Sequence, residues 1–214
     1  MLSSYVRKAK DTACGFELIY YFNSAQSTDR ESVGATRFQA GCELAKIFGV
    51  KGDIVVPVPN TAREVAKGYS YTSGIRFCDA IHARQEFGRY FTKKTQEERE
   101  RVASEKFVYS PEDVKGKEIV LIDDSIVRGT TTRCVIRNLR EHGASKIHML
   151  VASSPVINIC EKIMVASKDE LIATNKTIGQ ICRTIGADTL HYLPIDIAQE
   201  IYGGNKKLCL DCFS

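Results

Sequence analysis

No apolar run in this chain approaches the roughly 20 residues that a membrane-spanning helix needs. The N-terminal residues Met1–Lys8 also lack the apolar core of a secretory signal peptide. The sequence has no internal repeat, and its net charge of only +4 gives no reason to expect binding to nucleic acid. We therefore expect a cytoplasmic protein whose partners include neither a membrane nor a nucleic acid.

The composition is that of an ordinary globular protein, apart from its cysteines. A length of 214 residues suits one domain with room for a terminal extension, and 43% of the residues are hydrophobic and 26% charged. Eight cysteines are present. In a cytoplasmic protein they indicate metal binding or redox chemistry rather than a disulfide framework.

The most informative stretch is a short apolar run that ends in two acids. Ile119–Ile122 is typical of a buried parallel strand, and Asp123 and Asp124 follow it directly. Gly129 then permits a tight loop, and Thr130–Thr132 open a helix that we expect to reach about His142.

This order of residues suggests a site for a sugar phosphate. Backbone N–H groups of the loop and the helix N-terminus can bind a phosphate. Asp123 and Asp124 can accept hydrogen bonds from two sugar hydroxyls or hold a hydrated Mg²⁺. An ordinary strand, loop and helix with acids at its polar end is the alternative interpretation.

The segment Asp123–Thr131 resembles the phosphoribosyl pyrophosphate (PRPP) signature of type I phosphoribosyltransferases, and more narrowly that of the glutamine PRPP amidotransferases. The resemblance implies an α/β type I phosphoribosyltransferase fold, with a mostly parallel twisted sheet flanked by helices. It also implies that Asp123 and Asp124 hold the ribose hydroxyls and Mg²⁺. The residues that would bind the rest of PRPP here are Ser125, Ile126, Val127, Arg128, Gly129, Thr130 and Thr131.

A second predicted strand, Ile54–Pro59, leads into a second loop of the site. Asn60, Thr61 and Arg63 occupy the place of the pyrophosphate loop in the resembling family, with Arg63 at the departing diphosphate. Asn60 and Thr61 could instead be a plain N-cap of the helix that we expect to run to about Ser73.

The polar stretch 83–108 is predicted to be a hood that closes over PRPP and expels water. Gly88, Arg89 and the following aromatic residue are similar to the flexible loop of the family, which makes Arg89 a candidate catalytic residue. A solvated helix and loop is the alternative. The family's usual Lys-Asn-Arg-Tyr is replaced here by Ala83–Glu86, so either Arg84 substitutes for the lysine or diphosphate binding is weaker.

The remaining pattern predicts strands alternating with helices, which favours a parallel sheet. A strand is expected within Gly15–Phe22, a helix over Ala35–Phe48 and a strand over Ile147–Pro155. We assign residues 11–165 to the phosphoribosyltransferase core and 166–214 to a helical C-terminal extension packed on it. Helices of the extension are predicted at Lys168–Asn175, Ile178–Ile185 and Ile195–Tyr202.

The tail contains a Cys-x-x-Cys pair, which by itself is compatible with zinc, a cluster, a redox pair or chance. One branch of the resembling family holds a [4Fe–4S] cluster with four cysteines, and Cys14, Cys160, Cys209 and Cys212 fall at those places. The resemblance therefore implies a structural cluster, with zinc as the alternative.

The resemblance omits the glutaminase half of the family, because the chain begins Met1-Leu2 and has no N-terminal cysteine nucleophile. We expect a free-standing, homo-oligomeric, Mg²⁺-dependent enzyme that forms 5-phosphoribosylamine from PRPP and ammonia, with the ammonia free or supplied by a separate glutaminase. Another amine or heterocyclic acceptor is the second hypothesis, because the sequence after Cys160 departs from the family. A non-catalytic PRPP-binding regulator or scaffold is the third.

Overall fold

The computed structural model describes residues 13–27, 32–84, 105–160, 166–204 and 207–214. The strands are β1 (Ala13–Cys14), β2 (Ile54–Pro57), β3 (Arg76–Phe77), β4 (Ile81–Ala83), β5 (Phe107–Tyr109), β6 (Glu118–Asp123), β7 (Lys146–Val151), β8 (Thr189–Tyr192) and β9 (Leu208–Cys209). The α-helices are α1 (Val33–Phe48), α2 (Arg63–Ser73), α3 (Pro111–Val114), α4 (Thr130–Glu141), α5 (Ile178–Ile185) and α6 (Ile195–Ala198). Single π-helical turns occupy Glu17–Tyr21 and Gln199–Gly203, and a 3₁₀ turn occupies Lys168–Glu170.

A five-stranded sheet in the order β3-β2-β6-β7-β8 forms the centre of the fold, and all of its strands are parallel. Strand β6 lies in the middle and is buried on both faces, as the apolar run predicted. Val120 and Ile122 pack against the layer that contains α1 and α2, whereas Ile119 and Leu121 pack against the layer of α4 and α5. The predicted α/β architecture is confirmed.

The register of the sheet brings the two predicted loops together. Pro57 at the end of β2 lies opposite Ile122 of β6, and the Val58 N–H donates to the Ile122 carbonyl at 2.8 Å. The loop after β2 and the loop after β6 therefore leave the same carboxyl edge as neighbours, which is where parallel α/β sheets place their ligands.

Two small sheets lie outside the central one. Strands β4 and β5 are antiparallel and pair Ala83 with Phe107, so the two described ends of the predicted hood are hydrogen-bonded to each other. Arg89 and the rest of residues 85–104 lie outside the described residues. Strands β1 and β9 are parallel and join the N-terminal part of the chain to its tail.

The predicted strand within Gly15–Phe22 is wrong, since only Ala13–Cys14 are extended and Glu17–Tyr21 form a π-helical turn. The aromatic side chains that favour a strand here pack instead on the tail: the rings of Phe16 and Phe213 lie 6.1 Å apart. Tertiary packing has thus overridden a β propensity, which is a weak and context-dependent preference.

The C-terminal segment is less helical than predicted. Helix α5 matches the prediction, and α6 with the following π-helical turn covers the predicted Ile195–Tyr202. Lys168–Asn175 is not a helix beyond its 3₁₀ turn, and Thr189–Tyr192 was missed as a strand. This strand, β8, pairs with β7 at the edge of the central sheet, so the segment after residue 165 contributes to that sheet.

Within the described part of the chain, no helix combines the length and the apolar character needed to cross a bilayer.

Candidate active site

Asp123 and Asp124 lie at the carboxyl end of β6 and are both buried, with 7% and 6% of their surface exposed. The Asp124 N–H donates to Asp123 Oδ1 at 2.9 Å, and the Ser125 hydroxyl donates to Asp124 Oδ1 at 2.8 Å. The predicted acid pair is therefore a compact unit at the centre of the carboxyl edge.

The environment of these acids disfavours two negative charges. Burial raises the pKa of Asp123, and the charge of Asp124 raises it further. Burial likewise raises the pKa of Asp124, while hydrogen bonds from Ser125 and Thr61 and the charges of Arg37 and Lys106 oppose that rise. A bound cation, or hydroxyl groups that donate to both carboxylates, would relieve this cost, so the pair suits Mg²⁺ and a diol.

The loop after β2 approaches the acid pair at Thr61, whose side chain opposes the rise in the pKa of Asp124. The sequence predicted both loops but not this contact between them. The peptide bond between Pro59 and Asn60 is cis, and Asn60 is exposed at the tip of the loop. Asn60 is therefore accessible to a ligand above the sheet edge.

Arg63 begins α2, and its guanidinium is paired with the Asp79 carboxylate. About a third of each side chain is exposed, at 33% and 32%. No pattern in the sequence indicated Asp79, because it lies in the irregular stretch after β3. Asp79 fixes the direction of the guanidinium, and the role of Arg63 at the diphosphate stays a prediction.

The loop after the acids turns into α4 at Gly129, which has φ +73° and ψ 0° as the N-cap residue. A side chain at this position would be strained, so glycine is required by the backbone. Thr130 and Thr132 are buried at the first turn of the helix, and Thr131 is half-buried. The positive end of a three-turn helix thus faces the loop beside the acids, an arrangement that favours an anion.

The side chains of the loop do not all face the acids. Ile126 is buried in the core, and the Arg128 guanidinium is bound to Glu170 behind the loop, with Nη2 3.0 Å from Oε2. Ile126, Val127 and Arg128 can therefore serve a phosphate mainly through their backbone N–H groups.

Two cations near the acids were missed at the sequence level. Lys106, just before β5, lies close enough for its charge to lower the pKa values of Asp123 and Asp124. Arg37 in α1 does the same for Asp124, although only 1% of its surface is exposed. An arginine on the apolar face of a predicted helix is the one signal in the sequence that could have drawn attention to Arg37.

The four predicted cysteine ligands are distant in the sequence and lie near one another in the fold. Cys14 lies opposite Cys209 in the register of β1 and β9, and Cys212 follows in the tail. Burial, together with the nearby thiols of Cys14, Cys160 and Cys209, raises the pKa of the Cys212 thiol to about 12. Four thiols with such mutual influence suit a centre whose iron or zinc would favour thiolates.

Among the residues that the structure describes, no three histidine, cysteine, aspartate or glutamate side chains are grouped as ligands of a single metal ion. This holds for the cysteines and for the surroundings of Asp123 and Asp124.

Comparison with known proteins identifies the family. The Phosphoribosyl transferase domain matches residues 36–157, which are more than half of the chain and include both loops of the site. The chain belongs to this family. The resemblance seen at Asp123–Thr131 is thereby confirmed, together with the type I fold.

Within this family, the similar proteins include amidophosphoribosyltransferases. That of Methanothermobacter thermautotrophicus is 38% identical over 98% of this chain and 45% of its own length. The structure of the glutamine PRPP amidotransferase of Bacillus subtilis, complexed with ADP and GMP, superposes with a TM-score of 0.84 at 33% identity. That superposition covers 95% of this chain and 46% of the other. The chain thus spans about half the length of the relatives it matches.

Proposed function

We propose that this chain is a Mg²⁺-dependent phosphoribosyltransferase that uses PRPP and forms 5-phosphoribosylamine from ammonia. The observation that carries the proposal is that the two loops leave the same sheet edge side by side, with the Val58 N–H donating to the Ile122 carbonyl and the Ser125 hydroxyl donating to Asp124. This arrangement supports one site in which the predicted phosphate, diol and diphosphate positions lie together. The amidophosphoribosyltransferases to which the chain is similar support ammonia as the acceptor.

In this reaction the bond between C1 of the ribose and the diphosphate breaks, and the diphosphate leaves with the bonding electrons. The ring gains oxocarbenium character, the nitrogen lone pair of ammonia attacks C1, and a proton leaves the nitrogen. Bound Mg²⁺ would neutralise charge on the diphosphate. Such a reaction depends on positioning and electrostatic stabilisation rather than on a covalent catalyst.

Each part of the site has a task in this scheme. Asp123 and Asp124 accept hydrogen bonds from the ribose hydroxyls and place negative charge beside the ring when it becomes positive. The loop Ser125–Thr131 holds the 5-phosphate at the N-terminus of α4. Asn60, Thr61 and Arg63 receive the diphosphate, with Arg89 of the hood as a further cation.

The test of this proposal follows diphosphate release from PRPP and Mg²⁺ with ammonium, with glutamine and with neither. We expect release with ammonium and none with glutamine. The Asp124→Asn variant should lower the rate about 100-fold, or roughly 3 kcal/mol of transition-state stabilisation. Glu112→Gln, which alters an exposed acid on α3, is the matched control and should leave the rate unchanged.

Other outcomes distinguish the competing functions. Release only in the presence of another amine or heterocycle would identify a different acceptor. Uptake of PRPP without any turnover would indicate a binding protein or regulator. The absence of Mg²⁺-dependent PRPP uptake in calorimetry would refute the proposal.

We also propose that Cys14, Cys160, Cys209 and Cys212 hold a [4Fe–4S] cluster. The register of Cys14 with Cys209 and the mutual influence of all four thiols support it. Four cysteines form a donor set that suits a [4Fe–4S] cluster, with zinc as the alternative. Protein purified without oxygen should contain about four irons per chain and absorb visible light broadly. Zinc without iron would support the alternative.

A further inference from the structure

A segment near the C-terminus packs against the predicted phosphate loop, Ser125–Thr131. We call this segment, Ser167–Ile172, the strap. The backbone N–H of Ile172 donates to the carbonyl of Val127 at 2.8 Å. The side chain of Ile172 is buried directly beneath Gly129, where an added Cβ would overlap its Cδ1 atom. The loop therefore rests on the strap without space between them.

An ion pair adds a second connection between the loop and the strap. Arg128 Nη2 lies 3.0 Å from Glu170 Oε2, and both side chains are largely shielded, at 17% and 28% exposed. The same Glu170 oxygen accepts the backbone N–H of Ser167 at 3.0 Å, which closes the 3₁₀ turn of the strap. One carboxylate oxygen of Glu170 thus binds both the Arg128 side chain in the loop and the Ser167 backbone in the strap.

Beside this ion pair there is room for the Arg128 side chain to take another position. A cavity of about 310 Å³ lies against the loop and is lined by Arg128, Arg133, Asp169, Lys176 and Thr184 among others. Without its partner, the Arg128 side chain could turn into this cavity, and the loop backbone would lose the constraint. A lack of room therefore does not impose the position that Arg128 has in the structure.

We propose that Glu170 is a positioning residue, which acts through Arg128 to hold the loop in the shape that receives the 5-phosphate of PRPP. This inference rests on the proposed function of the loop. It explains why the guanidinium of a basic residue in the predicted phosphate loop is bound to an acid of the strap: the side chain fixes the backbone whose N–H groups would bind the ligand.

Steady-state kinetics of the Glu170→Gln variant of the full chain test the inference. The amide keeps the shape of the side chain and an acceptor for the Ser167 N–H, but it removes the charge paired with Arg128. We expect KM for PRPP to rise about five-fold or more, while kcat at saturating PRPP changes less than about two-fold. Asp169→Asn, at the exposed neighbouring acid on the same cavity, is the matched control and should behave as the wild type.

A double-mutant cycle shows whether Glu170 acts through Arg128. In an Arg128→Gln background, Glu170→Gln should weaken PRPP binding by less than about two-fold further, because the pair is already broken. Independent and additive losses would overturn the inference. Unchanged PRPP affinity in Glu170→Gln alone would do the same.

A measurement without substrate separates this inference from the proposed function. Amide hydrogen exchange of Val127–Thr131 in the free protein should be faster in Glu170→Gln than in the wild type or in Asp169→Asn. If wild-type protein takes up no PRPP, the proposed function fails. The difference in amide exchange would still show whether Glu170 constrains the backbone of the loop. Equal exchange rates in all three proteins would show that Glu170 does not constrain the loop.

Discussion

Arg37, Asp123 and Asp124 are charged side chains buried beside the carboxyl edge of the sheet. Arg37 has no acidic partner at hydrogen-bond distance among the described residues; it donates instead to the carbonyls of Leu18, at 2.9 and 3.1 Å, and of Phe22, at 2.9 Å. These carbonyls belong to the π-helical turn and its end. One guanidinium thus satisfies the backbone of this turn and places positive charge near Asp124.

Replacement of Arg37 by leucine is therefore expected to destabilise the fold. Two buried carbonyl groups would lose their donors, at roughly 1–3 kcal/mol each, so we expect a loss of about 3 kcal/mol in the free energy of unfolding. Urea denaturation measures this loss. Arg137→Leu is the control, since its ion pair with Glu141 is long, at 3.9 Å, and exposed, and it should cost less than about 0.5 kcal/mol. A similar cost for both variants would contradict the assigned role of Arg37.

At the scale of elements, α1 and α2 cross at very short range because glycines face each other across the contact. A Cβ on Gly41 would overlap the Val65 carbonyl oxygen, and one on Gly68 would overlap the Phe38 carbonyl oxygen. The helix pair positions Arg37 on α1 and Arg63 at the start of α2. The distance between these helices therefore bears on both loops of the site.

We expect Gly41→Ala to force the two helices apart and to destabilise the protein by about 2–4 kcal/mol, as overpacking does in a rigid core. Thermal unfolding provides the measurement. Gly179→Ala on α5 has open space around the added methyl group, with its nearest neighbour 3.9 Å away, and should be neutral or gain up to about 1 kcal/mol. A Gly41→Ala protein as stable as the wild type would show that the crossing can relax.

The opposite edge of the sheet carries a polar ladder across β6, β7 and β8. His148 Nε2 lies 2.7 Å from Glu118 Oε1, and its Nδ1 lies 2.9 Å from Thr189 Oγ1. Lys146 Nζ also lies 3.6 Å from the Glu118 carboxylate. Hydrogen bonding to His148 holds the pKa of Glu118 below its usual value of 4.5. The ladder is far along the strands from the acid pair and contributes to the sheet rather than to the site.

This ladder predicts a pH dependence of stability. Because the pKa of Glu118 is lower in the folded state than in the unfolded state, its stabilisation is present above the unfolded pKa and is lost as the pH falls through the folded pKa. The difference in unfolding free energy between wild type and Glu118→Gln should be constant near about pH 7 and shrink toward about pH 3. If the difference in unfolding free energy between the two proteins does not change over this range of pH, the polar ladder is not its source.

At the scale of the whole molecule, the two ends of the described chain are joined to each other and to the core. Strand β1 pairs with β9, and Cys212 and Phe213 are buried in the same apolar cluster as Phe16 and Ile19. Arg37 donates hydrogen bonds to the backbone of this region, and its positive charge lies near Asp124. The tail is thus a structural part of the domain that carries the candidate site.

If the four cysteines hold the proposed cluster, Cys212→Ser should bind less iron than the wild type and have a lower melting temperature, because a metal centre that binds only the folded state stabilises it. Cys42→Ser, at a buried cysteine on α1 outside the predicted set, should retain the iron. Iron analysis and calorimetry of both proteins check this. Retention of full iron content by Cys212→Ser would remove this residue from the ligand set.

The features that depend on local order can be predicted from the amino-acid sequence alone. The apolar run of β6, the two acids, the turn at Gly129 and the start of α4 are adjacent in the chain, and their chemistry can be read directly. The parallel sheet and the closeness of the two loops also follow, since the carboxyl ends of parallel strands share one edge.

The features that join distant residues depend on the packing of the folded chain. The turn at Glu17–Tyr21 is helical because Arg37 and the tail bind it, against the local preference of its aromatic residues. Thr189–Tyr192 is a strand because β7 offers an open edge. Asp79 and Lys106 reach the site from irregular segments, and Glu170 from a single 3₁₀ turn, where no periodic pattern can reveal a contact. Such contacts arise from packing across the chain, which local sequence does not encode.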